Sequence, residues 1–220
     1  MLEDKLTDIK IAYNPSYTHG SAVSLTGPAV NEHLTNYSRL GVDKVIIAEN
    51  DFDTYNSIRS DLRNQSIIPA EVHYKNVTDV VLNTFMSKSI KIVDIDLDFT
   101  ANPDKCMLEV RKILDYMERP IGVDSMNDRF SIVVTFCQRN AIRGSVMGGY
   151  EEIVNTINQS SNYNLQKAYY QGYADGAPMA TAMFLVSKVG SAGSRVYRNG
   201  FDDIEPLLIT KGKRNFYKAA

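Results

Sequence analysis

The sequence predicts an α/β fold, a doubly wound and mostly parallel sheet that closes in a C-terminal antiparallel hairpin. Three observations predict it. Between Ala22 and Leu62 an apolar run ends in Gly27-Pro28, a helical pattern follows, and a second apolar run, Val45–Ala48, ends in Glu49 before another helix begins. Strand and helix patterns then alternate five times along the chain, the order that gives parallel strands joined by right-handed crossovers. Finally, two β-rich runs flank Asp175-Gly176, a strong short-range hairpin signal.

The elements follow in order. Residues 1–21 read as a polar lead-in with one short helix, ending in the turn-rich Asn14-Pro15-Ser16-Tyr17 and Thr18-His19-Gly20. Ala22–Thr26 is the first strand, and Ala29–Leu40 a helix opened by Pro28, where a missing N–H costs nothing. Lys44–Ala48 has the continuous apolar character of a buried strand. Asp51 or Asp53 caps a helix reaching Arg63, with Tyr55, Ile58 and Leu62 on one face. Ala70–Tyr74 is a third strand and Val77–Met86 a helix. Ile90–Ile95 is a fourth strand, followed by a polar turn, Asp96–Asp104. Asp104–Glu118 is amphipathic through Met107, Leu108, Val110, Ile113, Leu114 and Met117, and Arg119-Pro120 stops it. Phe130–Phe136 is a fifth strand, Gln138–Gly149 a loop with Arg139 and Arg143, and Tyr150–Asn158 a helix. Gln166–Tyr173 and Pro178–Val189 form the hairpin. The main domain thus spans 22–189, and 190–220 is an extension carrying a short apolar run, Pro206–Thr210, and a basic tail.

Composition narrows the function classes. The 220 residues are 44% hydrophobic and 23% charged with a net charge of -2, so no overall basic field favours nucleic acid and any such contact needs a local patch. Cys106 and Cys137 are isolated, with no metal spacing and no disulfide framework, which suits a reduced, cytoplasmic setting. No signal-peptide core and no run of about 18 apolar residues marks a membrane segment.

Two groups of residues carry chemistry. The first is Gly27-Pro28 with Glu49, which lies 22 residues beyond Gly27. A tight turn before a helix, then an acid ending the next strand, is the arrangement that holds an adenosine-containing ligand at the carboxyl ends of parallel strands. A carboxylate ending a buried strand costs several kcal/mol unless donors satisfy it, and two vicinal hydroxyls are such donors. A solvated strand end or a helix cap is the plainer alternative. The second group is Asp94, Asp96 and Asp98. At period two they share one side of an extended segment, and like charges so placed need compensation from donors, solvent or a metal.

The order of strands, helices and terminal hairpin resembles the class I S-adenosylmethionine-dependent methyltransferases, with a Rossmann-like sheet, over Ala22–Val189. Val93–Pro103 (VDIDLDFTANP) is similar to the D-x-D-P-F-G-S-P segment of tRNA guanine-N2 methyltransferases, and Ala48–Ile58 (AENDFDTYNSI) resembles their second-strand segment. The chain departs from the family where Pro28 replaces a usual glycine and Leu97 a proline. The resemblance implies S-adenosylmethionine as cofactor, held by Gly27, Pro28, Glu49, Asn50, Asp51 and Val77, with Asp94 and Asp96 orienting an acceptor amine and no metal site. It implies a nucleic-acid base as acceptor.

Two alternatives accompany it. One is a methyltransferase-like binding or assembly module without catalysis, of viral type, which its glycine-poor first loop would suit. The other is a Mg²⁺- or Mn²⁺-dependent enzyme using Asp94, Asp96 and Asp98. Three lesser features weigh as ordinary structure: Asn14-Pro15-Ser16-Tyr17 as a turn rather than a catalytic loop, Cys137 as a buried small side chain, and Lys211–Lys218 as a solvated end. Arg139 and Arg143 suit either phosphate contact or solvent.

Overall fold

A computed structural model describes residues 2–13, 19–27, 29–64, 67–87, 90–139, 141, 145–175, 177–191 and 205–206. Its strands are β1 (Ser21–Ser24), β2 (Lys44–Glu49), β3 (Ala70–Tyr74), β4 (Ile92–Asp98), β5 (Met126–Cys137), β6 (Tyr163–Asp175), β7 (Ala177–Lys188) and β8 (Glu205–Pro206). Its helices are α1 (Leu2–Tyr13), α2 (Val30–Leu40), α3 (Phe52–Asn64), α4 (Val77–Met86), α5 (Pro103–Glu118), α6 (Pro120–Ser125) and α7 (Ser145–Gln159). The strands form one sheet in the order β3-β2-β1-β4-β5-β7-β6-β8. The first five are mutually parallel, and the β6–β7 hairpin adds antiparallel to β5. This is the doubly wound, mostly parallel sheet with a terminal antiparallel hairpin that the sequence predicts.

Burial explains the two layers. Ile46, Ile95, Leu97, Ile132 and Val134 face a core closed by α4, α5, α6 and α7. On the other face Ala22, Val45, Ile47 and Val93 pack under α2 and α3, while Val133, Met183 and Leu185 pack under Leu6 of α1. α2 buries Val30, Leu34, Tyr37 and Leu40, an apolar stripe at helical spacing, and ends at Gly41 with φ 74°, where glycine avoids the left-handed penalty. Tyr150 ties α7 to the sheet. Its ring stacks on Phe136 with centroids 5.4 Å apart, and its hydroxyl donates to the Ala180 carbonyl at 2.6 Å.

Several elements differ from the sequence reading. The N-terminal segment supplies a twelve-residue helix packed on the same sheet. β4 runs on to Asp98, so Asp96 and Asp98 belong to the strand and not to the following turn. Leu108 is exposed, because the buried stripe of α5 runs through Cys106 and Met107 instead. Pro120 stops α5 and also opens α6, as proline at a first helical position can. Gly148 and Gly149 lie within α7, which starts five residues earlier than expected. Asn14–Tyr17, Arg143, residues 207–210 and the basic tail fall outside the described residues. Among the described residues no helix is long and apolar enough to cross a membrane.

Candidate functional site

From β1 the sheet grows one way to β2 and β3, then the chain returns to place β4 on the opposite side of β1. Loops leaving β1 and β4 therefore diverge, and a crevice opens at the carboxyl ends of the strands. A cleft of about 390 Å³ occupies that place, a size that suits a small ligand. Leu25 and Gly27 line it from the β1 loop, Glu49 and Asn50 from the end of β2, and Asp98, Phe99, Thr100 and Ala101 from the end of β4.

Gly27 has φ 55°, and nothing lies within 4 Å of where a Cβ would stand. The glycine is thus needed for its backbone conformation, and its missing side chain leaves the cleft wall open. Glu49 sits half-buried at the mouth, where its Oε1 accepts the Asp51 N–H at 2.7 Å. Its carbonyl also accepts the Lys75 N–H at 3.0 Å, which ties the ends of β2 and β3 together. Asn50 donates to the Asn76 side-chain oxygen at 3.4 Å, so two amides share one wall. Val77 lines the cleft from the first turn of α4. Gly27, Glu49, Asn50 and Val77 are therefore brought together. Asp51 is spent differently: its carboxylate accepts the Thr54 N–H at 2.8 Å and caps α3, and those bonds hold its pKa below the usual value. Pro28 lies outside the described residues.

The three aspartates of β4 occupy three depths. Asp94 pairs with Ala22 of β1 and Ser131 of β5 deep in the sheet, and its side chain is fully buried. Lys10 of α1 reaches its Oδ2 at 2.7 Å, the Tyr37 hydroxyl donates to the same oxygen at 3.1 Å, and the Ser131 hydroxyl donates to the other. Asp96 is half-buried, 3.5 Å from the Tyr37 hydroxyl. Burial and then the charges of Asp94 and Asp96 raise the Tyr37 pKa, so this phenol stays a donor. Only Asp98 lines the cleft, because β4 extends past the residues expected at its end. Asp94 and Asp96 thus sit below the mouth, among protein donors. Among the described residues no group of three His, Cys, Asp or Glu side chains is arranged to hold a metal ion.

Sequence reasoning missed the remaining wall. Lys75 and Asn76 line it from the β3–α4 connection, and Lys105, Cys106 and Glu109 from α5. Glu109 accepts a hydrogen bond from Thr78 of α4, which joins the start of α4 to the middle of α5 beside the cleft. The i, i+4 spacing of Lys105 and Glu109 was the available signal, since it puts both on one side of α5. Cys106 is no nucleophile at neutral pH: burial, and then the Glu109 charge, pushes its thiol up to about 11. Cys137 is also buried and free.

No protein-family model and no curated protein matches the sequence. Solved structures do match the fold. An rRNA methylase from Streptococcus thermophilus superposes with a TM-score of 0.50 at 15% identity, over 84% of this chain and 93% of that one. The yhhF protein of Escherichia coli, assigned as a methyltransferase, gives 0.50 at 13% identity over 84% of each chain. The fold is that of the class I methyltransferases. NSun6 from Pyrococcus horikoshii, solved with SFG, matches it with a TM-score of 0.50 at 8% identity, over 84% of this chain and 51% of that one. In this methyltransferase fold, the cleft between β1 and β4 is the crevice described above.

Proposed function

We propose that the protein is an S-adenosylmethionine-dependent methyltransferase whose acceptor is a nucleic-acid base. The observation that carries this reading is the meeting of Gly27 and Glu49 in one cleft at the point where the sheet reverses its strand order. The residues suit the cofactor. The open space at Gly27 admits a chain close to the backbone. Glu49, fixed by the Asp51 N–H, is an acceptor for the vicinal ribose hydroxyls. Asn50 and Asn76 offer amides to the edge of an adenine, and Val77 offers an apolar wall. The cofactor supplies a methyl group already activated on a positively charged sulfur.

The work left to the chain is alignment and proton handling. Asp98, across the cleft, is the acid placed to accept hydrogen bonds from an acceptor amine and to hold it toward the methyl group. Asp96 stands behind it against Tyr37, and Asp94 is a positioning residue that anchors β4 to α1. The nucleic-acid acceptor draws on the rRNA methylase among the structural neighbours. Two buried, reduced cysteines suit a cytoplasmic setting.

Calorimetry with S-adenosylmethionine and S-adenosylhomocysteine tests the proposal. Binding of both, weakened roughly thirtyfold in Glu49→Ala at unchanged fold, supports it. Failure of the native protein to bind either would leave a non-catalytic module and remove the reading.

A further inference from the structure

Outside the cleft, the outer flank of α3 carries an exposed aromatic cluster that no core needs. Phe52 and Tyr74 meet edge to face with ring centroids 5.6 Å apart, and Tyr55 lies against Tyr74 at 5.5 Å. Phe52 is 58% and Tyr74 52% exposed, unusual for rings of this size. They stand at the edge of the sheet, since β3 is its last strand. The cluster adjoins the cleft: Phe52 is two residues past Asn50, and Tyr74 precedes Lys75, both of which line it.

Below the rings the same flank is cationic. Phe52, Arg59 and Arg63 stand at i, i+7 and i+11 of α3, within about 40° of one another around the axis and over about 16 Å of its length. Both arginines are exposed, and neither forms an ion pair with another described residue. The acids of α3 lie elsewhere, Asp53 about 100° and Asp61 about 180° away around the helix. Glu71, on the neighbouring strand, belongs to the opposite face and is paired with Lys44 at 2.6 Å.

We infer that this flank docks single-stranded nucleic acid, with unpaired bases stacking on Phe52 and Tyr74 and the backbone following Arg59, Arg63 and Lys75. Exposed aromatic rings beside exposed cations are the features that bind single strands, whereas a duplex hides the faces of its bases. The inference deepens the proposed function and rests on it for the class of acceptor.

Fluorescence anisotropy with labelled single-stranded RNA and DNA of about 20 nucleotides and no cofactor tests it, each variant being checked by thermal melting. Arg59→Glu with Arg63→Glu is expected to weaken binding at least tenfold and to flatten the salt dependence by about 1.4 in slope, as for two lost phosphate contacts. Phe52→Ala with Tyr74→Ala is expected to weaken it at least about fivefold, the effect of one lost stack, at unchanged slope. Charge reversal on the exposed face of α3 leaves the core intact, so that arm decides even if the aromatic variant fails to fold. No binding at low salt, equal binding by all variants, or a duplex bound as tightly as the single strand would overturn the inference. So would self-association of the native protein that Phe52→Ala with Tyr74→Ala abolishes, which would make the patch an interface between copies. Because no cofactor is present, a negative result here leaves the Glu49 calorimetry untouched, and the converse also holds.

Discussion

Lys10 and Asp94, 84 residues apart in sequence, form an ion pair inside the protein, with Nζ 2.7 Å from Oδ2 and side chains 5% and 0% exposed. The pair fastens α1 to the central strand of the sheet. Taking both charges out of water is expensive, and the Tyr37 and Ser131 hydroxyls complete the shell that makes it tolerable.

Lys10→Met strands the Asp94 carboxylate without its counter-ion. It is expected to cost about 3–5 kcal/mol in urea unfolding. Lys10→Met combined with Asp94→Asn, which keeps an acceptor oxygen for one of the two hydroxyls and offers an amide N–H to the oxygen of the other, is expected to recover most of that loss. Additive losses in the double variant would show that the pair contributes nothing as a pair.

Gly27→Ala forces an L side chain into φ 55°. With nothing near the new methyl, the cost is conformational only, about 1–2 kcal/mol by denaturant midpoint. A larger loss would point to a collision that the open space denies.

Glu49→Ala is expected to lower S-adenosylmethionine affinity by about 2 kcal/mol, roughly thirtyfold, through loss of charge-assisted hydrogen bonds to the ribose. The melting temperature without ligand is expected to stay within a few degrees, because Glu49 is half-exposed. Calorimetry and thermal melting together check both halves.

Asp98→Asn and Asp94→Asn separate the site from its support. The cleft variant is expected to slow methyl transfer tenfold or more at near-normal cofactor affinity. The buried variant is expected to show its main effect in unfolding, where Lys10 is left with a neutral partner. Single-turnover rates beside urea curves distinguish them.

Cys106 supplies the pH dependence. Its folded thiol holds its proton up to about pH 11, while an unfolded thiol loses it near the ordinary value of about 8.5. Between these values the folded state binds more protons than the unfolded one, so stability falls as pH rises. Cys106→Ser is expected to flatten the stability profile over that alkaline window and leave it unchanged near neutrality. Equal profiles for the two proteins would reject the assignment.

The sequence made the winding of the sheet legible because it is written in local patterns. Val45–Ala48 is apolar at every position, Gly27 and Glu49 mark strand ends, and Asp175-Gly176 marks the hairpin. Depth was not local. The period-two aspartates announced a shared side, but only Lys10, Tyr37 and Ser131, brought in from three other elements, fix Asp94 in the interior and leave Asp98 at the mouth. The wall from α5 was hidden for a similar reason. Lys105 and Glu109 look like any solvated helix face until the fold turns them toward Glu49. Leu108 shows the opposite failure, an apolar residue one step off the buried stripe.

The place of β7 between β5 and β6 has a consequence for synthesis on the ribosome. All five parallel strands are made before the strand that covers the outer edge of β5, and that edge includes the run from Phe130 to Phe136. Until Lys188 has emerged, a nascent chain carries an apolar border open to pairing with its neighbours. The interval between Cys137 and Lys188 is therefore when a stalled or truncated product is most exposed to aggregation.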